Sequence, residues 1–345
     1  MDSSSLASLP EETETTDHRQ QQDQSVFLSA FASVPHRPPT QYFMCIWQGK
    51  KVRLSFVYME VVILVYTSGK VSRFNADTVK LHNFFARLSY ALSAKIIKEK
   101  ARVVAMDLRG HGKSTSENDL DLSIETMCND VVAVVKAMYG DSPPAIVLVG
   151  HSMGGSVAVH VAARKAISSL AGLVVVDVVE GTALASLVHM QKILSSRMQH
   201  FSSIEKAIEW SVKGGTLRNI NSARLSIPST LKYDESKKCY IHRARLEETE
   251  QYWRSWYEGL SEKFLSCPVP KLLLLAGTDR LDRALTIGQM QGKYQMVVVR
   301  HTGHAIQEDV PDEFAPLILN FVSRNRIGPH GVEIPGLRRP FQSQT

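Results

Sequence analysis

The chain is expected to fold as an α/β domain, with a mostly parallel central sheet and helices on both faces. Three observations carry this expectation. The short apolar runs "ARVVAMD", "PAIVLVG" and "GLVVVD" read as strands buried on both faces. The stretches between them have helical periodicity, so strand and helix alternate as in parallel βαβ units. After a long interruption the strand pattern resumes at "PKLLLLAGTD" and "QMVVVRHTGHAIQED".

With 345 residues, 44% hydrophobic and 21% charged, the chain has material for a sizeable core. Residues 1–40 are rich in Ser, Gln, Glu, Thr and Pro and are expected to form a disordered tail. The domain is placed at 41–326, with a C-terminal tail at 327–345. The formal net charge of +6 is mild and no basic block interleaves with aromatics, so no nucleic-acid partner is expected. The polar, acidic N-terminus lacks the basic start and apolar run of a secretory signal. The longest apolar stretch, from Phe56 to Tyr66, is too short to span a bilayer and is broken by Glu60. A soluble protein without membrane contact is expected, in the cytoplasm, with the nucleus as a second compartment. Cys45, Cys128, Cys239 and Cys267 form no Cys-x-x-Cys pair, which favours free thiols over a zinc site or disulfide framework.

From Ala101 the elements can be taken in order. "ARVVAMD" is a strand ending at Asp107, and "LRGHGKS" is a turn-rich loop. Ile124, Met127, Cys128, Val131, Val135 and Met138 share one helical face, with Ser123 suited to the N-cap and Gly140 to the end. "PAIVLVG" runs straight into "HSMGG", and "GGSVAVHVAARKAI" continues as a helix whose small residues allow close approach to the sheet. "GLVVVD" ends at Asp177. From about Gly181 to Ser266 the chain reads as helices and polar turns with no clear strand, the pattern of a helical lid inserted between late strands. Within it Ser202 and Glu205 have capping-box spacing. Tyr252, Trp253, Trp256 and Tyr257 read first as packed core of the lid and second as a substrate surface.

The chemistry begins at "VLVGHSMGG". Gly150-x-Ser152-x-Gly154 has the spacing of a nucleophile elbow, where a sharp strand-to-helix turn projects the serine alone. A small residue in a tight turn is the plain alternative; a strand before Ser152 and a helix after it favour the elbow. The backbone N–H of Met153, at the helix N-terminus, is then an oxyanion donor. A serine nucleophile needs a base, and His304 stands in the loop after the last strand, preceded by Gly303, with His301 nearby. For the acid the residues leave Asp177, Asp279 and Asp282 open, all following strands at the carboxyl edge, and spacing leans towards Asp279. "DLRGHGKS" ends like a phosphate loop, but the required first glycine is Asp107, so the nucleotide reading fails.

Taken together, "MDLRGHGKS", "VLVGHSMGG", "LVVVDVVEGTA", "LLLLAGTDRLD", "GQMQGKYQMVVV" and "TGHAIQEDVPDEF" resemble the protein phosphatase methylesterase family of α/β-hydrolases. The resemblance runs from about Ser89 to Ile327, and "SAFASVPHRPP" near the N-terminus shares it. It implies an α/β-hydrolase fold and a hydrolase of the methyl ester on the C-terminal leucine of the protein phosphatase 2A catalytic subunit. It also implies Ser152, Asp177 and His304 as the catalytic set, and no cofactor or metal. One departure stands out. The family carries a His-Gly-Gly-Gly oxyanion loop shortly before the "DLRGHG" strand, where this chain has "VKLHNFFARLSYALS". Asn83, Phe84 and Phe85 follow His82 where glycines are expected, and residues 41–88 fit the family poorly.

Overall fold

Alternation within each strand explains why two cores flank one sheet. The computed structural model describes residues 42–44, 60–65, 88–112, 116–277 and 281–333. By its contacts the chain divides into units 1–40 and 41–345, and all described residues belong to the second. The first half comprises β1 (Tyr42–Met44), β2 (Glu60–Val65), α1 (Ala91–Ile97), β3 (Arg102–Asp107), α2 (Ile124–Tyr139), β4 (Ile146–His151), α3 (Met153–Ala163) and β5 (Leu170–Val176). Val104, Met106, Ile146, Leu148, Leu173 and Val175 point to one face, where α2 and α3 cover them. Val103, Ala105, Val147, Val149, Val174 and Val176 point to the other, where α1 lies. Every residue of β3 and β4 is buried, as strands covered on both faces require.

Helix α2 has the predicted face and caps. Met127, Cys128 and Val131 are fully buried, the Ser123 side chain accepts from the Thr126 N–H, and Gly140 ends the helix at φ 66°.

The insertion follows β5. It contains α4 (Glu180–Ser196), β6 (His200–Phe201), α5 (Ile204–Lys213), α6 (Ile220–Ser226), β7 (Leu231–Asp234), β8 (Cys239–His242), α7 (Glu250–Tyr257) and α8 (Leu260–Ser266). It is largely helical, as expected, but it also holds a three-stranded antiparallel sheet in the order β6-β8-β7 that the sequence reading missed. The lysines and acids of "LKYDESKKCYIH" mask the alternation. The turn signal is present, since Asp234 Oδ1 accepts from the N–H groups of Ser236 and Lys237 at 3.0 and 3.2 Å. The cap of α5 is Ser203, one residue later than the Ser202 expectation. The aromatic segment breaks into α7 and α8 at Gly259, which has φ 72°. Trp253, Trp256 and Tyr257 are core, with Tyr252 half-buried against them: Trp256 is 1% exposed, donates from Nε1 to the Leu122 carbonyl at 2.7 Å, and accepts at its own carbonyl from Ser156 Oγ on α3.

The chain closes with β9 (Lys271–Leu275), α9 (Arg283–Met290), β10 (Gln295–Val298), α10 (Ile306–Asp309), α11 (Pro311–Arg324), β11 (Ile327–Gly328) and β12 (Gly331–Val332). Helix α11 joins α1 on its face through Phe314, Ile318 and Phe321. The packed chain extends past Arg326, into the segment placed as the C-terminal tail at 327–345. Ile327 is buried and, with Phe321, closes over Gly172, β11 pairs antiparallel with β12, and the Pro329 carbonyl accepts from the Ala145 N–H.

Among the described residues the main sheet has seven strands in the order β1-β3-β2-β4-β5-β9-β10. Neighbours run parallel except at β2, which is antiparallel to both β3 and β4. Val61 pairs with Gly150, and Val65 with Arg102 and Ile146. Strand β2 therefore begins at the carboxyl edge beside the elbow and ends at the opposite edge. Among the described residues no helix is long and apolar enough to cross a membrane.

A buried imidazole, His160, and a half-buried one, His242, give the fold an acid limit. Burial, together with the charges of Lys263 and Arg164, pushes His160 on α3 down from 6.5 to about 4. Burial and Arg197 do the same to His242. The unfolded chain binds more protons than the folded one between these values, so stability is full above 6.5 and is lost as pH falls towards 4. For His160 the loss is on the order of 3 kcal/mol. His160→Asn is expected to flatten the fall in unfolding free energy between pH 6.5 and 4; an unchanged slope would place the acid sensitivity elsewhere.

Candidate active site

Ser152 sits between β4 and α3 with φ 53° and ψ −124°, a strained conformation for a non-glycine residue. The neighbouring glycines make it possible. A Cβ on Gly150 would overlap the Gly154 carbonyl, and one on Gly155 would lie 2.8 Å from Val178 Cγ1. Gly154 thus contributes its backbone to the tight contact, and Gly155, outside the Gly-x-Ser-x-Gly spacing, lets α3 approach the chain after β5. The Ser152 N–H donates to the Val176 carbonyl at 2.9 Å, tying the elbow to the end of β5. Met153 opens α3, where the first amides have no carbonyl partner inside the helix.

Asp177 follows β5 directly, with φ 50°. Its side chain is fully buried, whereas that of His304 is 44% exposed. Asp177 Oδ2 lies 2.7 Å from His304 Nδ1, and Oδ1 accepts from the Ala276 N–H at 2.9 Å. The Asp177 N–H donates to the Leu274 carbonyl at 2.8 Å. The end of β9 thus holds Asp177 at both its backbone and its carboxylate, and the imidazole Nδ1 faces an acceptor that fixes its proton there. Nε2 is left as the basic nitrogen.

The other candidates fall elsewhere. Asp282 caps α9, accepting from the Leu285 N–H at 2.9 Å and from Ser261 Oγ at 2.5 Å. Glu180 accepts from the N–H groups of Gly259 and Ser261, both at 2.8 Å, so these acids tie α4, α8 and α9 together. His301 is exposed on its loop at φ 62°. Asp279, His82, Asn83, Phe84 and Phe85 lie outside the described residues. No group of three or more His, Cys, Asp or Glu side chains that could hold a metal ion occurs among the described residues.

Two residues escaped the sequence reading. His151, fully buried beside Ser152, donates from Nε2 to the His304 carbonyl at 2.7 Å, and the two rings lie 4.5 Å apart. Asp309 bonds the Gly303 N–H at 2.6 Å. Their signal was position: one precedes the serine, the other follows His304 within "GHAIQED".

Comparison with known proteins agrees with this architecture. Residues 80–317 match the family model of the alpha/beta hydrolase family. The chain is 47% identical over 282 residues to protein phosphatase methylesterase 1 of Mus musculus, covering 69% of this chain and 73% of that protein. It is 45% identical to the Schizosaccharomyces pombe protein of the same name, covering 66% and 67%. Among solved structures, E-2-(acetamidomethylene)succinate hydrolase superposes with a TM-score of 0.56 at 19% identity, over 68% of this chain and 87% of that one, a likeness of fold. From its strained Ser152 elbow to its identity with these relatives, the chain belongs to the protein phosphatase methylesterase family of alpha/beta hydrolases.

Proposed function

We propose that this chain is a serine carboxylesterase that removes the methyl ester from the C-terminal leucine of the protein phosphatase 2A catalytic subunit. The observation that carries the reading is the 2.7 Å contact of His304 Nδ1 with Asp177, on loops tied to the Ser152 elbow, in a chain 47% identical to a named methylesterase. Ser152 Oγ attacks the ester carbonyl as His304 Nε2 takes its proton. The developing imidazolium is stabilised by Asp177, and the oxyanion by the Met153 N–H. The tetrahedral intermediate collapses, the C–O bond to the leaving group breaks, and His304 returns the proton to release methanol. Water, deprotonated by the same imidazole, then cleaves the acyl-enzyme to a free carboxylate and regenerates Ser152. None of these steps calls for a cofactor.

The direction of β2 bears on the rate. An oxyanion hole uses two donors aimed at one point, and Met153 supplies one. A loop leaving the C-terminal end of a parallel strand would emerge at the carboxyl edge, where ligands gather in such sheets. The C-terminal end of β2 lies at the other edge, opposite Arg102 and Ile146. A missing donor costs about 10²–10³ in turnover. Asn83, Phe84 and Phe85 follow His82 where the family has glycines, so replacing residues 41–88 with a family segment carrying His-Gly-Gly-Gly is expected to raise methyl release from a methylated phosphatase catalytic subunit by about that factor. The assay follows loss of the methyl group by mass, with a nitrophenyl ester as a small-substrate control. Equal rates for the chain and the chimera would mean that the absent glycines cost no oxyanion donor. Capture of the phosphatase without turnover by either protein would favour a binding role, and turnover of the small ester alone would favour a small-ester hydrolase.

A further inference from the structure

Asp309 ends α10, five residues after His304, and is 9% exposed. Its two carboxylate oxygens serve different parts of the molecule. Oδ2 accepts from the Gly303 N–H at 2.6 Å, and Oδ1 from the Arg218 N–H at 2.8 Å. Bonds from backbone amides to an ionised carboxylate are about twice as strong as neutral ones. Arg218 stands in the insertion just ahead of α6. Leu217 and Ala223 pack there with Ala305, the residue after His304, and Ser222 Oγ donates to the Glu308 carbonyl at 2.7 Å. On the far side of the loop, His151 holds the His304 carbonyl at 2.7 Å. The peptide units around His304 are thus fixed from the insertion and from the elbow together.

We propose that Asp309 is a positioning residue for His304: it sets the loop so that Nδ1 meets Asp177, and it couples that contact to the base of the insertion. The inference rests on the Ser152–Asp177–His304 reading. A carboxylate serving only to close its own helix would bond α10. Here both oxygens reach outside it, one to the amide adjoining the base and one to a segment 91 residues earlier in the chain.

The test combines kinetics with the imidazole proton. Asp309→Asn keeps the shape of the side chain but turns an –NH₂ towards one of the two N–H donors. A displacement of the base by ~1 Å costs about 10² in rate. The expected result is a fall in kcat of about that size with KM little changed, together with loss of the downfield His304 Nδ1–H resonance that the Asp177 contact produces. A purely structural role would lower the active fraction and leave resonance and kcat per labelled serine as in the parent. Gly303→Ala guards against a variant that does not fold. Its Cβ would lie 3.2 Å from Asp309 Oδ2 and pry at the same contact, so a smaller loss in kcat with the same spectral change is expected. Parental kcat and resonance in either folded variant overturn the inference alone. A parent protein without that resonance overturns the triad reading and the inference with it.

Discussion

Ser152→Ala is expected to lower ester hydrolysis by about 10⁶-fold, the scale seen when a serine hydrolase loses its nucleophile. The residue is half-buried at the elbow, so its Oγ can be removed without opening a core cavity. Alanine inherits the same φ of 53° and meets the same strain, because both side chains carry one Cβ. The Ser152 N–H bond to the Val176 carbonyl is a backbone contact and survives. Unfolding free energy should stay within about 1 kcal/mol of the parent, and binding to the phosphatase should persist. Activity within tenfold of the parent would mean that Ser152 is a turn residue and the nucleophile lies elsewhere.

Asp177→Asn is expected to cost about 10⁴ in turnover, the loss known for the equivalent change in serine proteases. The local hydrogen bonds explain why the neutral isostere fails. The Ala276 N–H at 2.9 Å demands an acceptor, so the single amide oxygen of asparagine turns towards it. The –NH₂ then faces His304 Nδ1 and forces the proton onto Nε2, the nitrogen that must accept from Ser152. The opposite rotamer sets two N–H donors against each other at Ala276. Asp282→Asn should leave turnover near parental, because that residue caps α9, and Asp279→Asn should likewise be mild. Measuring kcat for the three variants gives the ranking. Asp279 as the sensitive position would mean that strand spacing had identified the acid better than the contact with His304.

Much of this site can be read from the chain. Apolar runs such as "IVLVG" and "LVVV" mark strands buried on both faces, and an apolar run leading into Gly-His-Ser-Met-Gly-Gly marks the elbow. Ser123 and Gly140 mark the ends of α2 because capping is local. The acid was not legible from spacing. Strands β5 and β9 are neighbours in the sheet, so carboxylates after either one reach the same edge, and only the side-chain contact separates Asp177 from Asp282. Strand direction was not legible either. "EVVILV" is equally apolar read both ways, and its antiparallel placement depends on pairing with β3 and β4. The pair β7–β8 escaped because Lys232 and Tyr233 on β7, and Lys237 and Lys238 in the turn, are exposed, and the small sheet has little core of its own. Asp309 escaped because its partner Arg218 is remote in sequence, and no local pattern announces a contact across 91 residues.

Labelling the unaltered chain with a fluorophosphonate and mapping the adduct by peptide mass spectrometry reports whether Ser152 is an activated nucleophile. An activated serine beside its base displaces fluoride and keeps the phosphonyl group, whereas an ordinary turn serine does not react. One phosphonyl group per chain is expected on the peptide containing Ser152, formed slowly in Asp177→Asn and not at all in Ser152→Ala. An unmodified Ser152 under conditions that label another serine hydrolase to completion, or an adduct on a different residue, would mean that Ser152 is not the nucleophile.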